Sequence, residues 1–259
     1  MKLKDILYSF FYWFIIIINT IFFGTAAIAI SFFDSSGRKA QNVAKLWART
    51  ILYLLNIRVV ADGLSNIDGK CSYLIVSNHQ SYVDIFILLS LLNVDFKFVA
   101  KSSLFKIPFL GWSMKRLGYI SVDRKNLKKT LSVFNQINIS NKALENISAM
   151  EKKNKKNAAL SILIFPEGTR SNDGKLKDFK TAGLKRFIEI LNLPILPVVI
   201  MGTFDILKKN SLRIYGGKTV RFKVLKPVLI EANNAESTSD LIQNVAENIN
   251  KEFYNLKKN

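Results

Sequence analysis

The residues best suited to chemistry lie in the stretch NHQSYVD, which runs from Asn78 to Asp84. His79 is the only histidine of the 259-residue chain, and Asp84 follows five positions later. A carboxylate that accepts a hydrogen bond from one imidazole nitrogen fixes the ring tautomer, and the other nitrogen can then take a proton from a hydroxyl group. The sequence therefore predicts a general base at His79, oriented by Asp84, with the substrate supplying the oxygen.

These two side chains can meet only if His79 lies outside a regular helix, because residues five apart are about 140° apart around the helix axis. We expect His79 in a strand-to-helix turn and Asp84 in the first helical turn, where a carboxylate is favoured. The preceding run, residues 71–77, predicts a buried strand. A lone histidine is usually structural, but polar residues directly after such a strand lie at the carboxyl edge of an α/β sheet, where ligands bind.

A second polar group follows another apolar run in the stretch FPEGTRS, residues 165–171. Glu167 and Arg170 present opposite charges there, and a guanidinium with nearby backbone amides suits a phosphate. Lys101 and Arg124 each follow a further predicted strand. Any one of these cations could form an ordinary surface ion pair, but together they predict an anionic, phosphate-bearing substrate.

The elements that must position these residues are short apolar runs alternating with helical patterns. Strands are predicted at 71–77, 96–100, 118–122, 161–165, 195–201 and 219–225, the last as an edge strand because its apolar residues alternate. Helices are predicted at 83–92, 181–191 and 239–256. The pattern favours an α/β fold with a mixed, largely parallel sheet flanked by helices. The lysine-rich segment 136–157 predicts a solvated helix or a loop insertion.

The N-terminal segment from Ile6 to Phe33 carries no charge. As one helix it would be about 42 Å long, against a hydrocarbon core of roughly 30 Å. It is either a single tilted span or two arms, broken near Asn19–Thr20 or Gly24, that enter one leaflet and return. Basic residues flank both ends, which slightly favours the re-entrant form. A cleaved signal peptide is the alternative, although the apolar stretch is long for one.

Residues 38–55 carry an amphipathic pattern that fits either an interfacial helix or an ordinary domain helix. The net charge of +19 points to nucleic acid or to an anionic membrane surface. We find no aromatic-basic nucleic-acid motif, so we expect the membrane and no nucleic acid. Cys71 is the only cysteine, which excludes an intramolecular disulfide and disfavours a structural zinc site.

Four blocks in order resemble the glycerophospholipid acyltransferase family, specifically the 1-acyl-sn-glycerol-3-phosphate acyltransferases. Asn78-His79 with Asp84 is similar to the NHxxxxD signature of that family. Residues 101–111 with 118–124, 165–171, and 193–198 resemble its second, third and fourth blocks. The resemblance covers roughly residues 60–230 together with the apolar anchor.

The resemblance implies that His79 activates the sn-2 hydroxyl of lysophosphatidate, that Asp84 orients His79, and that the hydroxyl attacks the thioester of acyl-CoA or acyl-carrier protein without a covalent acyl-enzyme. It implies oxyanion donors among backbone amides near the histidine turn, and neither a cofactor nor a metal. It implies a division into an anchor with an interfacial helix (1–57) and a catalytic domain (58–259). The residues that it implies for substrate binding are Lys101, Arg124, Glu167, Gly168, Thr169 and Arg170.

Because acyl donors are cytosolic, we expect the protein at the cytoplasmic membrane with its catalytic domain facing the cytoplasm. Three alternatives remain open from the sequence. The acceptor could be another lysolipid, such as a lyso-ornithine lipid or a lysophospholipid. His79 could instead activate water, which would make the protein a hydrolase. The chain could also be a non-catalytic, membrane-anchored basic module.

Overall fold

The computed structural model describes residues 3–34, 37–122, 160–230 and 237–258. Arg124 and the lysine-rich segment 136–157 lie outside these ranges. The described part of the chain contains the helices α1 (Leu3–Ser31), α2 (Arg38–Leu54), α3 (Val83–Leu91), α4 (Leu110–Arg116), α5 (Thr181–Leu191) and α6 (Thr238–Lys258). Its strands are β1 (Arg58–Asp62), β2 (Leu74–Ser77), β3 (Asp95–Lys101), β4 (Ile120–Val122), β5 (Leu160–Ile164), β6 (Ile195–Met201) and β7 (Thr219–Val224).

The strands form one sheet in the order β1-β7-β6-β2-β5-β3-β4. Every neighbouring pair is parallel except β6 and β7, which are antiparallel. The predicted mixed, largely parallel α/β sheet is therefore confirmed. Because β2, β5 and β6 are adjacent and parallel, the polar residues that follow each of them meet at one carboxyl edge.

The prediction that β7 is an edge strand is wrong, because β1 pairs along its outer side. No sequence pattern predicted β1, because its five residues show no alternation of apolar and polar side chains. The alternation in β7 has a different origin. Its apolar residues Val220, Phe222 and Val224 are buried on one face, while the residues between them are exposed or half-buried.

Successive side chains of each strand enter two cores, one on each face of the sheet. Ile75 packs with α2 and α3, whereas Leu74 and Val76 pack with α5 and α6. Helix α2 packs one face into the core of the domain, and both the interfacial position of its other face and the domain boundary at residue 57 stay predictions. The buried residues of α2 are Ala40, Gln41, Ala44, Ala48, Ile51 and Leu52.

The long apolar segment folds as one continuous helix of 29 residues, so the break predicted near Asn19–Thr20 or Gly24 is absent. The polar side chains of Asn19 and Thr20 are accommodated in the helix because each donates a hydrogen bond to a backbone carbonyl of the preceding turn. Asn19 Nδ2 donates to the carbonyl oxygen of Ile15 at 3.0 Å, and Thr20 Oγ1 donates to that of Ile16 at 2.7 Å. Within α1, Lys4–Ser31 is long and apolar enough to cross a membrane, and only 6% of its most apolar stretch is buried against the rest of the protein.

Helix α1 is held against segments that leave the carboxyl edge of the sheet. The indole Nε1 of Trp13 donates to the carbonyl oxygen of Leu212 at 2.7 Å. Leu212 lies in the connection between the carboxyl end of β6 and the start of β7. Further along α1, Gly24 lies against Phe109, which follows the carboxyl end of β3. The apolar helix therefore runs alongside the domain, next to the edge where the candidate site lies.

Candidate active site

The candidate site is built from turns that follow three adjacent strands. His79 lies in the connection between β2 and α3, and Asp84 occupies the first turn of α3, as the spacing predicts. The stretch 165–171 follows β5, and Thr203 begins a short 3-10 turn after β6. These turns are brought together because their strands are neighbours in the order β5-β2-β6.

The His79 ring and the Asp84 carboxylate are directly hydrogen bonded. Nδ1 of His79 lies 2.8 Å from Oδ2 of Asp84, and Asp84 is fully buried. The same oxygen accepts the backbone N–H groups of Gln80 at 2.7 Å and Ser81 at 2.9 Å, and Oδ1 accepts the hydroxyl of Thr203. An ionised carboxylate can only accept hydrogen bonds, so Nδ1 carries the proton and Nε2 remains available as a base.

The imidazole ring is held on its face as well as at its edge. Phe165 stacks on it with 3.9 Å between ring centroids and 13° between ring planes. The side chain of His79 is 13% exposed, which is enough for a substrate group to reach it. The stack and the bond to Asp84 together restrict rotation of the ring, which a general base in a fixed geometry requires.

Glu167 is buried at 2% exposure beneath the same turn. Its Oε1 accepts the backbone N–H of His79 at 2.7 Å, and its Oε2 accepts the N–H of Lys177 at 3.3 Å. Burial raises the pKa of Glu167 to about 8, and the two backbone donors oppose that rise only in part. The carboxyl group therefore frames the histidine turn, whereas the sequence suggested an opposite charge displayed beside Arg170.

Arg170 lies over the face of Tyr82, with its guanidinium carbon 3.6 Å from the ring centroid. The next residue, Ser171, donates its N–H to the carbonyl oxygen of His79 at 3.0 Å, which fixes the Arg170 loop against the histidine turn. Gly168 and Thr169 complete this loop, and Gly168 adopts a φ of +71° that favours glycine. The structure thus brings together Glu167, Gly168, Thr169 and Arg170 with the dyad.

Of the two remaining predicted cations, only Lys101 lies in the part of the chain that the structure describes. Lys101 is the exposed last residue of β3, and β5 separates that strand from β2. Arg124 lies outside the described residues. Their roles at the site therefore stay predictions.

Sequence reasoning missed several supporting residues. Asn78 matched the family signature without a role. Its buried amide donates to the carbonyl oxygen of Ile200 and accepts the N–H of Ile200, both at 2.8 Å, and so joins the ends of β2 and β6. Phe165, Tyr82 and Thr203 act through stacking or a single hydroxyl. No local spacing signals these contacts, since each joins residues from different elements.

Three backbone N–H groups of the histidine turn already have hydrogen-bond acceptors. The N–H groups of His79, Gln80 and Ser81 donate to Glu167 or Asp84, so these three are not free oxyanion donors. Oxyanion donors from other backbone amides near the turn stay a prediction. Among the described residues, no group of three or more His, Cys, Asp or Glu side chains could hold a metal ion.

The chain belongs to the acyltransferase family, whose model, described as Acyltransferase, matches residues 58–201. It is 34% identical over 223 residues to a chloroplastic 1-acyl-sn-glycerol-3-phosphate acyltransferase of Brassica napus, covering 84% of this chain and 58% of that protein. A chloroplastic enzyme of the same description from Arabidopsis thaliana is 34% identical over 198 residues, covering 76% of this chain and 51% of that protein. This chain thus spans little more than half the length of these two plant relatives.

The fold is also that of a solved structure. The 1-acyl-sn-glycerophosphate (LPA) acyltransferase PlsC from Thermotoga maritima superposes with a TM-score of 0.78 at 25% identity, covering 100% of this chain and 98% of that one. The agreement includes the N-terminal helix, because the whole of this chain is covered. The resemblance inferred from the four sequence blocks is confirmed.

The raised pKa of Glu167 predicts a pH-dependent stability. The Glu167 carboxyl group has an ordinary pKa of 4.5 in the unfolded chain and a pKa of about 8 in the folded protein. At a pH between these two values, unfolding therefore releases its proton. The free energy of unfolding should therefore fall as the pH rises from about 4.5 to about 8, and Glu167→Gln should flatten that part of the profile. Chemical unfolding of detergent-solubilised protein over this pH range measures both.

Glu189→Gln is the matched control, because Glu189 is an exposed glutamate on α5. Its stability profile should follow that of the wild type. Parallel profiles for the wild type and Glu167→Gln would contradict the assignment of a shifted proton to Glu167.

Proposed function

We propose that this protein transfers a fatty acyl chain from an acyl thioester to the sn-2 hydroxyl of lysophosphatidate, giving phosphatidate for phospholipid synthesis. The observation that carries the proposal is the hydrogen bond between His79 and buried Asp84, at a carboxyl edge that also holds the Arg170 loop. Similarity to proteins named 1-acyl-sn-glycerol-3-phosphate acyltransferases supports this choice of acceptor.

In the proposed reaction, Nε2 of His79 removes the proton from the sn-2 hydroxyl while the oxygen attacks the thioester carbonyl carbon. Asp84 stabilises the imidazolium that forms, as in other dyads of this kind. The tetrahedral intermediate then expels the thiolate, which receives the proton held by His79. The alcohol is itself the nucleophile, so the step needs neither a covalent acyl-enzyme nor a cofactor.

Recognition of the acceptor is assigned to the loop after β5. The Arg170 guanidinium can form two parallel hydrogen bonds to a phosphate, and its stack on Tyr82 holds it near the histidine turn. Gly168 and Thr169 contribute to the same loop, and Glu167 fixes its base. Lys101 and Arg124 are proposed as further cations for the glycerol phosphate.

The acyl donor is acyl-CoA or acyl-carrier protein, both of which present a thioester in the cytosol. The proposed location is therefore the cytoplasmic membrane, with the domain on the cytoplasmic side. Helix α1 supports the membrane association in this proposal, because its outward face is apolar and exposed. The residues of that face with at least half of their surface exposed are Leu7, Tyr8, Phe10, Phe11, Phe14, Ile17 and Phe22.

The contacts of α1 favour a helix lying in the interface over one that crosses the bilayer away from the domain. The Trp13 side chain donates a hydrogen bond to the segment after β6, and Gly24 lies against the segment after β3. Both segments leave the edge at which His79 lies. The active site would then face the headgroup layer, where the sn-2 hydroxyl of lysophosphatidate is found, and the basic surface would attract anionic lipids.

His79→Ala should lower kcat by about 10²- to 10⁴-fold while leaving the fold intact, because it removes the proposed base. Transfer of a labelled acyl group to lysophosphatidate by purified protein measures the loss. Cys71→Ser is the control: it removes the only thiol and should retain full activity. Transfer that survives in His79→Ala, or is lost in Cys71→Ser, would contradict base catalysis by direct attack.

Arg170→Ala should raise the KM for lysophosphatidate by roughly 10-fold or more, with a smaller effect on the KM for the donor, because the lost contact is to the phosphate. Steady-state kinetics with each substrate varied in turn separates the two effects. Arg186→Ala, an exposed arginine on α5 paired with Glu189, should change neither constant. An unchanged acceptor KM in Arg170→Ala would remove the phosphate role.

An interfacial α1 predicts that the N-terminus and the catalytic domain lie on the same side of the membrane. In sealed vesicles, a protease added outside should remove an N-terminal epitope and cleave the domain together, or spare both together. Protection of one with cleavage of the other would establish a transmembrane span instead.

A further inference from the structure

We propose that Thr203 is a positioning residue for acyl transfer, holding the Asp84 carboxylate and, through it, the ring of His79. The inference rests on the proposed role of His79 as the base. Thr203 follows β6, beyond residues 58–201 that match the family model. It is fully buried.

Four hydrogen-bond donors surround the Asp84 carboxylate and divide unequally between its two oxygens. Oδ2 receives three donors, from His79, Gln80 and Ser81, and all three belong to the turn that leads into α3. Oδ1 receives the hydroxyl of Thr203, the one donor to Asp84 among the described residues that comes from outside this turn. The carboxylate therefore has one oxygen fixed locally and the other fixed from the end of a different strand.

This second attachment adds to the restraint on the plane of the carboxylate. Rotation about the Cβ–Cγ bond moves both oxygens at once, so the donors on Oδ2 and the Thr203 hydroxyl on Oδ1 resist it together. Rotation would change the angle at which Oδ2 meets the Nδ1–H of His79, and hydrogen bonds weaken steeply as they bend. With Thr203 in place, the carboxylate holds the tautomer in which Nε2 is the free base.

Thr203 can do this because its own position is fixed. Gly202 precedes it with a φ of +102°, and a Cβ there would lie 2.8 Å from the carbonyl oxygen of Thr219, so the turn needs glycine. The 3-10 turn then closes when the N–H of Ile206 donates to the carbonyl oxygen of Thr203 at 3.1 Å. Just before it, the amide of Asn78 clamps both backbone groups of Ile200 in β6.

A further hydrogen bond joins the segment after Thr203 to the histidine turn. The Ser81 hydroxyl donates to the carbonyl oxygen of Leu207 at 2.7 Å, and the N–H of Leu207 donates back to the carbonyl oxygen of Thr203 at 3.2 Å. The hydroxyl of Thr203 is therefore presented to Asp84 by a frame attached to both β2 and β6. This is the arrangement expected of a support for a catalytic carboxylate.

The single histidine of the chain allows a direct test. In protein labelled with ¹⁵N-histidine, every imidazole signal comes from His79, so NMR of the detergent-solubilised full chain reports its tautomer without assignment. Spectra are taken at a pH above which they no longer change. In the wild type, Nδ1 should be protonated and Nε2 should not.

Thr203→Val keeps the shape of the side chain and removes the hydroxyl, whereas Thr203→Ser keeps the hydroxyl and removes the methyl group. Thr203→Val should give a mixture of tautomers and lower kcat by about 10- to 100-fold, as the loss of a residue that orients a metal ligand does, with both KM values unchanged. Thr203→Ser should retain the wild-type tautomer and a kcat within about threefold. If Thr203→Val does not fold, Thr203→Ala takes its place in the same comparison.

A single wild-type tautomer together with an unchanged kcat in the hydroxyl-free variant would overturn the proposal. Equal losses of kcat in Thr203→Val and Thr203→Ser would also overturn it, because packing rather than the hydroxyl would then be responsible. If the tautomer shifts as expected but the wild-type protein transfers no acyl group, the positioning of His79 stands and the proposed acyltransferase function fails.

Discussion

The hydrogen bond between Nδ1 of His79 and the buried carboxylate of Asp84 is the interaction on which the rest of the site depends. A carboxylate withdrawn from water is tolerated only when donors replace its hydration. Here the replacement is complete: two backbone amides, the imidazole and the Thr203 hydroxyl surround Asp84. The shape of the turn after β2 and the position of the turn after β6 follow from supplying those donors.

The same requirement separates the two carboxyl groups near the histidine. Asp84 accepts four donors, while Glu167 accepts two backbone amides and is also buried. Burial raises the pKa of Glu167 to about 8, and the nearby charge of Asp84 adds to the rise. His79 is thus held from two sides, with Asp84 on its ring and Glu167 on its backbone N–H. Carboxyl groups in different environments can in this way serve different roles in one site.

The sequence predicted the parts of this arrangement that depend on local pattern. The end of the run before His79 forms β2, and Asp84 lies in the first turn of α3, because a buried strand followed by a polar turn and an apolar helix leaves few other solutions. Contacts between distant elements give no local sequence signal. The hydrogen bond from Thr203 to Asp84, for example, joins residues 119 positions apart in the sequence. The burial of Glu167 left no local signal either, because its carboxyl group accepts the N–H of His79, which lies 88 residues away in the sequence.

The most direct test of the account is an assay with purified protein, one labelled acyl thioester and several acceptors. The acceptors are lysophosphatidate, a lysophospholipid whose phosphate is a diester, a lyso-ornithine lipid, and water alone. The account predicts label in phosphatidate, with transfer only to the acceptor that carries a phosphate monoester. If labelled fatty acid is released at the same rate with and without a lipid acceptor, the protein is a thioester hydrolase. Equal transfer to acceptors with and without a phosphate monoester would contradict recognition through the Arg170 loop.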